Sequence, residues 1–419
     1  MNVTYLTWGE TPRSYGVFSS QVIGQFIETI KYISDKKNNY EFVSAVPIIH
    51  SGLVREKLSY KNELNGVKKL LSEGNATFKR IPIITSQNFI NSSFFSFKLF
   101  HMHSHKLLAK HFDTTKPDIV HCRSYHATWA ALKVREKYKL KYKVIFDARG
   151  IWPLEVTLKR KESQESKNYK FLNGVEQYCL DNSDKVIAVS ESMSLYFAKK
   201  TQTDIETIYL SADTSQLSTI ERRVKRCKDK SIMYCYLGAL SSNTWHKPKE
   251  LSELFKRLKT LTPDCKLMII TTSPKSGFLT YFNCFPEGDI VVRSSTNINE
   301  LKGLLTECDY GLMSYFTPEC ELQKTLSSSV LAVKTAEYLA AGMPMLVNKY
   351  CGGAALFLKD YRVGISYDPE NLQTLTLKHI KELFDIQPSK VKEAAKAHLN
   401  YKANASKYSD VYNELYKGM

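Results

Sequence analysis

The residues best suited to chemistry lie in Ser327–Asn348, SSSVLAVKTAEYLAAGMPMLVN. The pattern predicts a serine-rich loop, a helix over Val330–Ala341, a stop at Gly342, then Pro344 and a buried strand over Met345–Asn348. A helix N-terminus offers free N–H groups and the positive end of the dipole, and Ser328, Ser329 and Lys334 add hydroxyls and charge suited to a diphosphate. Glu337 lies three residues after Lys334 and shares its helical face. A carboxylate there can accept two hydrogen bonds from vicinal hydroxyls such as a ribose presents. A plain surface ion pair between Lys334 and Glu337 fits the same spacing, and pattern alone does not choose. Asp147 and Arg149 close an apolar strand and belong at its carboxyl end. There a carboxylate can hold a hydroxyl and an arginine can stabilise a departing phosphate. A structural Asp–Arg pair that fixes the turn before Trp152 is the alternative.

Short β-branched and aromatic runs alternate with longer helical patterns and supply the frame for these residues. Strands are predicted at Asn2–Thr7, Tyr40–Ile49, Arg80–Thr85, Asp118–Arg123, Lys143–Asp147, Lys185–Ser190 and Glu206–Leu210. A second series runs Ile232–Leu237, Lys266–Thr271, Asp289–Arg293, Tyr310–Ser314, Met345–Asn348 and Gly364–Tyr367. Several are apolar at every position, which suits parallel strands buried on both faces. Helices fit between them, among them Gly16–Ile33, Tyr125–Tyr138, Tyr169–Asn182, Pro248–Leu261 and Ile298–Glu307. A polar stretch near Ser215–Lys230 reads as a linker. The fold class is therefore α/β, with two Rossmann-like, doubly wound domains facing a cleft, and ligands are expected at the carboxyl ends of the strands. The expected divisions are 1–217, 218–388, and a C-terminal helix over 389–419 packing back on the first domain.

The Ser327–Asn348 segment resembles the donor-site motif of retaining glycosyltransferases of the GT-B fold, specifically family four. Lys334, Glu337, Tyr338, Ala340, Gly342 and Pro344 carry the match. Asp118–Tyr125, Val144–Glu155, Val186–Met193 and Tyr236–Gly238 with Leu240 resemble further segments in order, so the likeness spans roughly residues 1–370. The resemblance implies that Glu337 holds the nucleotide ribose, and that Lys334 with the serine loop holds the diphosphate. It also points to Gly16 and Gly238 as turns near the donor, to Lys247 as a basic residue against the diphosphate, and to Asp147 and Arg149 as the catalytic pair. Many relatives carry a second glutamate where this chain has Ser329. The implied reaction is transfer of a sugar from a nucleotide-diphospho-sugar co-substrate to a glycan or lipid-linked acceptor, with retention, in surface polysaccharide or glycoconjugate synthesis. A nucleotide-sugar epimerase or hydrolase of the same architecture, or a non-catalytic partner subunit, are the alternatives.

At 419 residues with 43% hydrophobic content, the chain is long enough for two cores. Its nine cysteines are scattered, without a Cys-x-x-Cys pair, so a disulfide framework or zinc site is not expected. No Asp-x-Asp, GxGxxG, GxxxxGK[ST] or GxSxG occurs. A metal-independent reaction without a resident cofactor is expected. The net charge of +17 favours an anionic partner. An anionic membrane surface met by Lys133–Lys143 is the candidate, whereas no nucleic-acid module is visible. With no apolar run near the ~18–20 residues of a membrane helix and no basic leader, the expected location is cytoplasmic or peripheral at the inner membrane face. His101, His103 and His105 are expected on a solvated helix.

Overall fold

The structure, a computed structural model, describes residues 1–14, 18–33, 37–47, 57–83, 94–101, 104–212, 214–222, 232–241 and 245–419. The apolar runs form parallel strands, as burial on both faces requires. Two compact units result: Met1–Tyr209 with Tyr401–Met419, and Leu210–Asn400. The expected divisions after residues 217 and 388 therefore move to 209 and 400. Helix Pro388–His398 stays with the second unit, packed on helix Val333–Ala340, and only helix Tyr401–Lys417 returns to the first.

In the first unit the strands are β1 (Asn2–Trp8), β2 (Asn39–Pro47), β3 (Thr77–Ile83), β4 (Ile119–Arg123), β5 (Lys143–Asp147), β6 (Lys185–Ala188) and β7 (Ile205–Thr207). Their order across the sheet is β3-β2-β1-β4-β5-β6-β7. Helix Tyr401–Lys417 covers one face by burying Tyr408, Val411, Tyr412 and Leu415 beside Ile119, Ile145 and Ile187. It is tied down by polar bonds as well. Gln25 Nε2 donates to the Tyr401 carbonyl at 3.0 Å, and Asn404 Nδ2 to that of Tyr209 at 2.7 Å. Tyr412 Oη lies 2.7 Å from His121 Nδ1 on β4, and His121 Nε2 faces Asp147 at 3.4 Å. Burial holds His121 below its ordinary pKa, hence neutral. Its single N–H points to the Asp147 carboxylate, which leaves Nδ1 to accept the Tyr412 hydroxyl.

On the other face, His101 is buried rather than solvated, against expectation. It stacks on Trp8 and lies within hydrogen-bonding distance of His105 at 3.2 Å and His126 at 3.1 Å. Packing by distant aromatics, invisible in the local pattern, accounts for the difference. His103 lies outside the described residues. Within the basic run, Lys133 pairs with Glu136, while Arg135 and Lys143 share Asp184. Among the described residues no helix is long and apolar enough to cross a membrane.

The second unit contains β8 (Met233–Leu237), β9 (Lys266–Ile270), β10 (Ile290–Arg293), β11 (Tyr310–Met313), β12 (Met345–Asn348) and β13 (Gly364–Tyr367). The order β10-β9-β8-β11-β12-β13 is the 3-2-1-4-5-6 arrangement whose direction reverses between β8 and β11. Helix Pro248–Leu261 starts at a proline with φ preset for a first turn, and buries Leu251, Leu254, Phe255 and Leu258 at helical spacing. Arg222 donates to the carbonyls of Leu305, Cys308 and Ala341, adding a side-chain donor at helix ends, where carbonyls lack their full intrahelical complement.

Tyr412→Phe keeps the ring but strands His121 Nδ1 in the core, at a cost of about 1–3 kcal/mol. Urea unfolding followed by tyrosine fluorescence should show a lower midpoint for the first unit. An unchanged midpoint would mean that the hydroxyl does not hold the C-terminal helix.

Candidate functional site

The two carboxyl edges carry different chemistry. In the second unit, helix Val333–Ala340 is positioned by Tyr338. Its hydroxyl accepts the Leu237 N–H at 2.5 Å and can donate to the Cys235 carbonyl at 3.2 Å. Its ring lies on Gly311, where a Cβ would come within 2.8 Å of it. The helix is thereby fixed across β8 and β11, and Lys334 and Glu337 project from it at the point where the strand order reverses.

Lys334 crosses the turn after β8. Gly238 has φ +132°, a conformation L side chains rarely adopt, and a Cβ there would overlap Lys334 Cε. His246 belongs to the same cluster. It is buried between the rings of Tyr236 and Tyr315, hydrogen-bonded to the Ser314 backbone, and pushed well below its ordinary pKa by burial and by the Lys334 charge. Lys334 is itself held below the usual lysine range by burial, against the pull of Glu337. For Glu337, burial outweighs the Lys334 attraction and pushes the carboxyl up to about 7. No hydrogen bond or ion pair from a described residue reaches that carboxylate. The plain surface ion pair is therefore not what the structure shows. Lys334 and Glu337 are partly buried side chains on one helical face, coupled through space.

The serines take a different place from the one expected. Helix Glu321–Ser329 incorporates them at its C-terminal end, and Val330–Ala332 intervenes before the next helix. Ser328 Oγ donates to the Lys324 carbonyl at 2.7 Å and Ser329 Oγ to that of Thr325 at 2.7 Å. Serine hydroxyls bond back to the preceding turn as readily as they cap a following one, which is why the sequence misleads here. The N-cap of helix Val333–Ala340 is Ala332, with no side-chain cap, so first-turn N–H groups stay unclaimed by side chains. Gly352 and Gly353 pack against this connection, since a Cβ on either would strike the backbone of Ser328 or Val330. Asn348 Oδ1 accepts the N–H groups of Tyr350 and Cys351 at 3.1 and 3.0 Å, holding the turn that brings those glycines in. That turn was readable as a strand followed by an Asx residue, but sequence reasoning passed over it. Lys247 is the N-cap of helix Pro248–Leu261, next to His246. Gly16 lies outside the described residues.

In the first unit Asp147 and Arg149 are together, as expected. Arg149 Nη1 lies 3.4 Å from both Asp147 oxygens, and Tyr408 Oη and His121 Nε2 are also 3.4 Å from Asp147 Oδ2. Asp147 is only 1% exposed. Burial would raise its pKa, yet Arg149, His121 and Arg123 together hold it below the usual carboxylate range. It stays ionised and orients Arg149. Arg149 has a left-handed backbone, φ 52°, unusual without glycine. Arg123, which sequence reasoning missed, ends β4 and pairs with both Glu10 oxygens at 3.2 Å.

Residues 69–216 match the model of Glycosyltransferase Family 4. Three solved structures superpose over nearly the whole chain. Sucrose-phosphate synthase from Thermosynechococcus elongatus has TM-score 0.65 and 11% identity, covering 100% of each chain. The apo lipopolysaccharide outer core galactosyltransferase WaaB has TM-score 0.64 and 13% identity, covering 99% of this chain and 100% of its own. HepE of Anabaena, solved in complex with UDP, has TM-score 0.62 and 11% identity, with 99% and 100% covered. No curated protein matches by sequence. The chain has the GT-B fold and resembles Glycosyltransferase Family 4. In GT-B terms, Gly238, Lys334 and Glu337 sit at the strand-order reversal of the C-terminal domain, and Asp147 and Arg149 at the carboxyl edge of the N-terminal one.

The raised Glu337 pKa carries a stability consequence. Between about 4.5 and 7 the folded chain holds a proton that the unfolded chain has lost, so this group's contribution falls as pH rises through that window. Glu337→Gln should therefore match wild-type stability below about pH 4.5 and exceed it above pH 7. Thermal unfolding across pH checks this, and equal stability at pH 8 would contradict the burial assigned to Glu337.

Proposed function

We propose that this chain is a metal-independent, retaining glycosyltransferase that draws on a nucleoside-diphospho-sugar. The carrying observation is Glu337, a carboxylate raised by burial to about 7 and left without a described partner beside Lys334. Two ribose hydroxyls would supply the donors it lacks. The uncapped first turn of helix Val333–Ala340 and the Lys334 ammonium would receive the diphosphate. In the reaction the bond from the anomeric carbon to the diphosphate oxygen breaks, and a bond from that carbon to the acceptor oxygen forms. The acceptor's proton leaves with the diphosphate. Lys334 and the helix N–H groups stabilise the charge that develops on the leaving group, with no reorganisation needed at that moment. A glycan or lipid-linked acceptor would be held by the N-terminal unit, with Asp147 keeping Arg149 in place.

Isothermal calorimetry with a panel of nucleoside diphosphates, starting with uridine diphosphate and run in excess chelator, tests this reading. Binding should persist in chelator, and Glu337→Gln should weaken it at least tenfold, because hydrogen bonds to a charged group contribute about 1.5–3 kcal/mol each. A 2′,3′-dideoxy analogue should bind wild type poorly and be nearly indifferent to the substitution. If Glu337→Gln binds as tightly as wild type, the ribose assignment is wrong. If chelator abolishes binding and magnesium restores it, the metal-independent reaction is wrong.

A further inference from the structure

We infer that Arg123 and Arg149 form a subsite for an anionic group, a phosphate or carboxylate carried by the acceptor, at the carboxyl edge of β4 and β5. The inference rests on the glycosyltransferase reading and names the acceptor's chemical class. Both guanidinium groups are largely withdrawn from water, with side-chain exposures of 11% and 13%. Each keeps a buried nitrogen, Arg123 Nη1 and Arg149 Nε, without a hydrogen-bond partner among the described residues. The hydroxyl of Thr11, the neighbour of the Arg123 partner Glu10, is buried and unpartnered as well.

Two observations indicate what is missing. A guanidinium can only donate and does not discharge by losing its proton, so an orphaned buried N–H can be relieved only by an acceptor atom. Leaving it unmade costs a full desolvation penalty, and native structures keep few such groups. Moreover, the existing bonds are long or already divided. Arg149 reaches Asp147 and Gln21 only at 3.4 Å. Asp147 is in turn shared with His121 and Tyr408.

Glu10 and Asp147 balance the two positive charges without using up their donors. A phosphate or carboxylate offers several acceptor oxygens and matches the planar fork in a way a single sugar hydroxyl does not. The place is also right, because ligands of open parallel sheets bind at the carboxyl ends of their strands. Arg149 adopts its left-handed backbone at this edge, and such conformations persist where the surroundings over-determine them, often at ligand sites.

The test is a titration of the full chain followed by the Nε–H signals of Arg123 and Arg149, assigned with Arg123→Lys and Arg149→Lys. The probes are methyl glucuronide, glucose 6-phosphate, short-chain dihexanoyl phosphatidic acid, and neutral methyl glucoside. At least one anion should move both signals saturably and bind at least tenfold tighter than methyl glucoside. Each lysine variant should weaken that anion at least fivefold. A response to either sugar anion points to a soluble acceptor, and a response to the lipid alone to a lipid-borne one. Silence with all three anions, or an equal response to methyl glucoside, overturns the subsite. Undiminished anion affinity in both variants overturns it too. Uridine diphosphate is titrated separately on the wild type, so that failure of the donor reading is seen apart from failure of this one.

Discussion

One tyrosine holds the arrangement of the C-terminal unit together. Tyr338 accepts a backbone N–H from β8, can donate to the Cys235 and Leu312 carbonyls, and rests its ring on Gly311 of β11. The two strands it joins flank the reversal of strand order, where an open parallel sheet leaves room for a ligand. Fixing the helix there fixes Lys334 one turn before Tyr338 and Glu337 beside it. The Gly238 turn must then be bare, because Lys334 lies over it, and Gly311 must be bare, because the ring does. The left-handed Gly342, whose N–H bonds to the Leu339 carbonyl, ends the helix and returns the chain to β12.

Both units bury charge near their strand ends, and they balance it differently. In the N-terminal unit, Asp147 is surrounded by Arg149, His121 and Tyr408 and is held ionised. It is almost wholly enclosed and pairs with Arg149. In the C-terminal unit, Glu337 is pushed toward neutrality and lacks such company. Removing a carboxylate from water without compensating hydrogen bonds is costly. Glu337 is kept in that condition beside Lys334, whose own pKa burial lowers.

Much of the frame was legible because it depends on local pattern. Strands Lys143–Asp147, Met345–Asn348 and Gly364–Tyr367 and helix Pro248–Leu261 fall where expected, since their apolar runs and the Pro248 start are strong local signals. β3 was expected to start at Arg80 and starts at Thr77, because an edge strand with exposed residues over Lys79–Arg80 shows little apolar pattern there and takes its register from its neighbour β2, while the expected end at Thr85 lies outside the described residues. The serines were misassigned because their hydroxyls serve either end of a helix. Lys334 and Glu337 could be named from spacing, but their burial could not, as it follows from packing against distant strands. The enclosure of Asp147 was likewise hidden, because Tyr408, 261 residues downstream, supplies part of it. Arg123 was marked only as the end of the predicted strand Asp118–Arg123, and the pairing of β4 with β5 brings it near Arg149.

The most direct test is a crystal structure of the chain with uridine diphosphate. Both Glu337 carboxylate oxygens should lie within about 2.5–3.0 Å of the two ribose hydroxyls, and Lys334 Nζ within about 3.2 Å of a phosphate oxygen. The phosphates should lie over the first turn of helix Val333–Ala340. A nucleotide bound elsewhere, or bound there with its ribose turned away from Glu337, would contradict the ribose assignment.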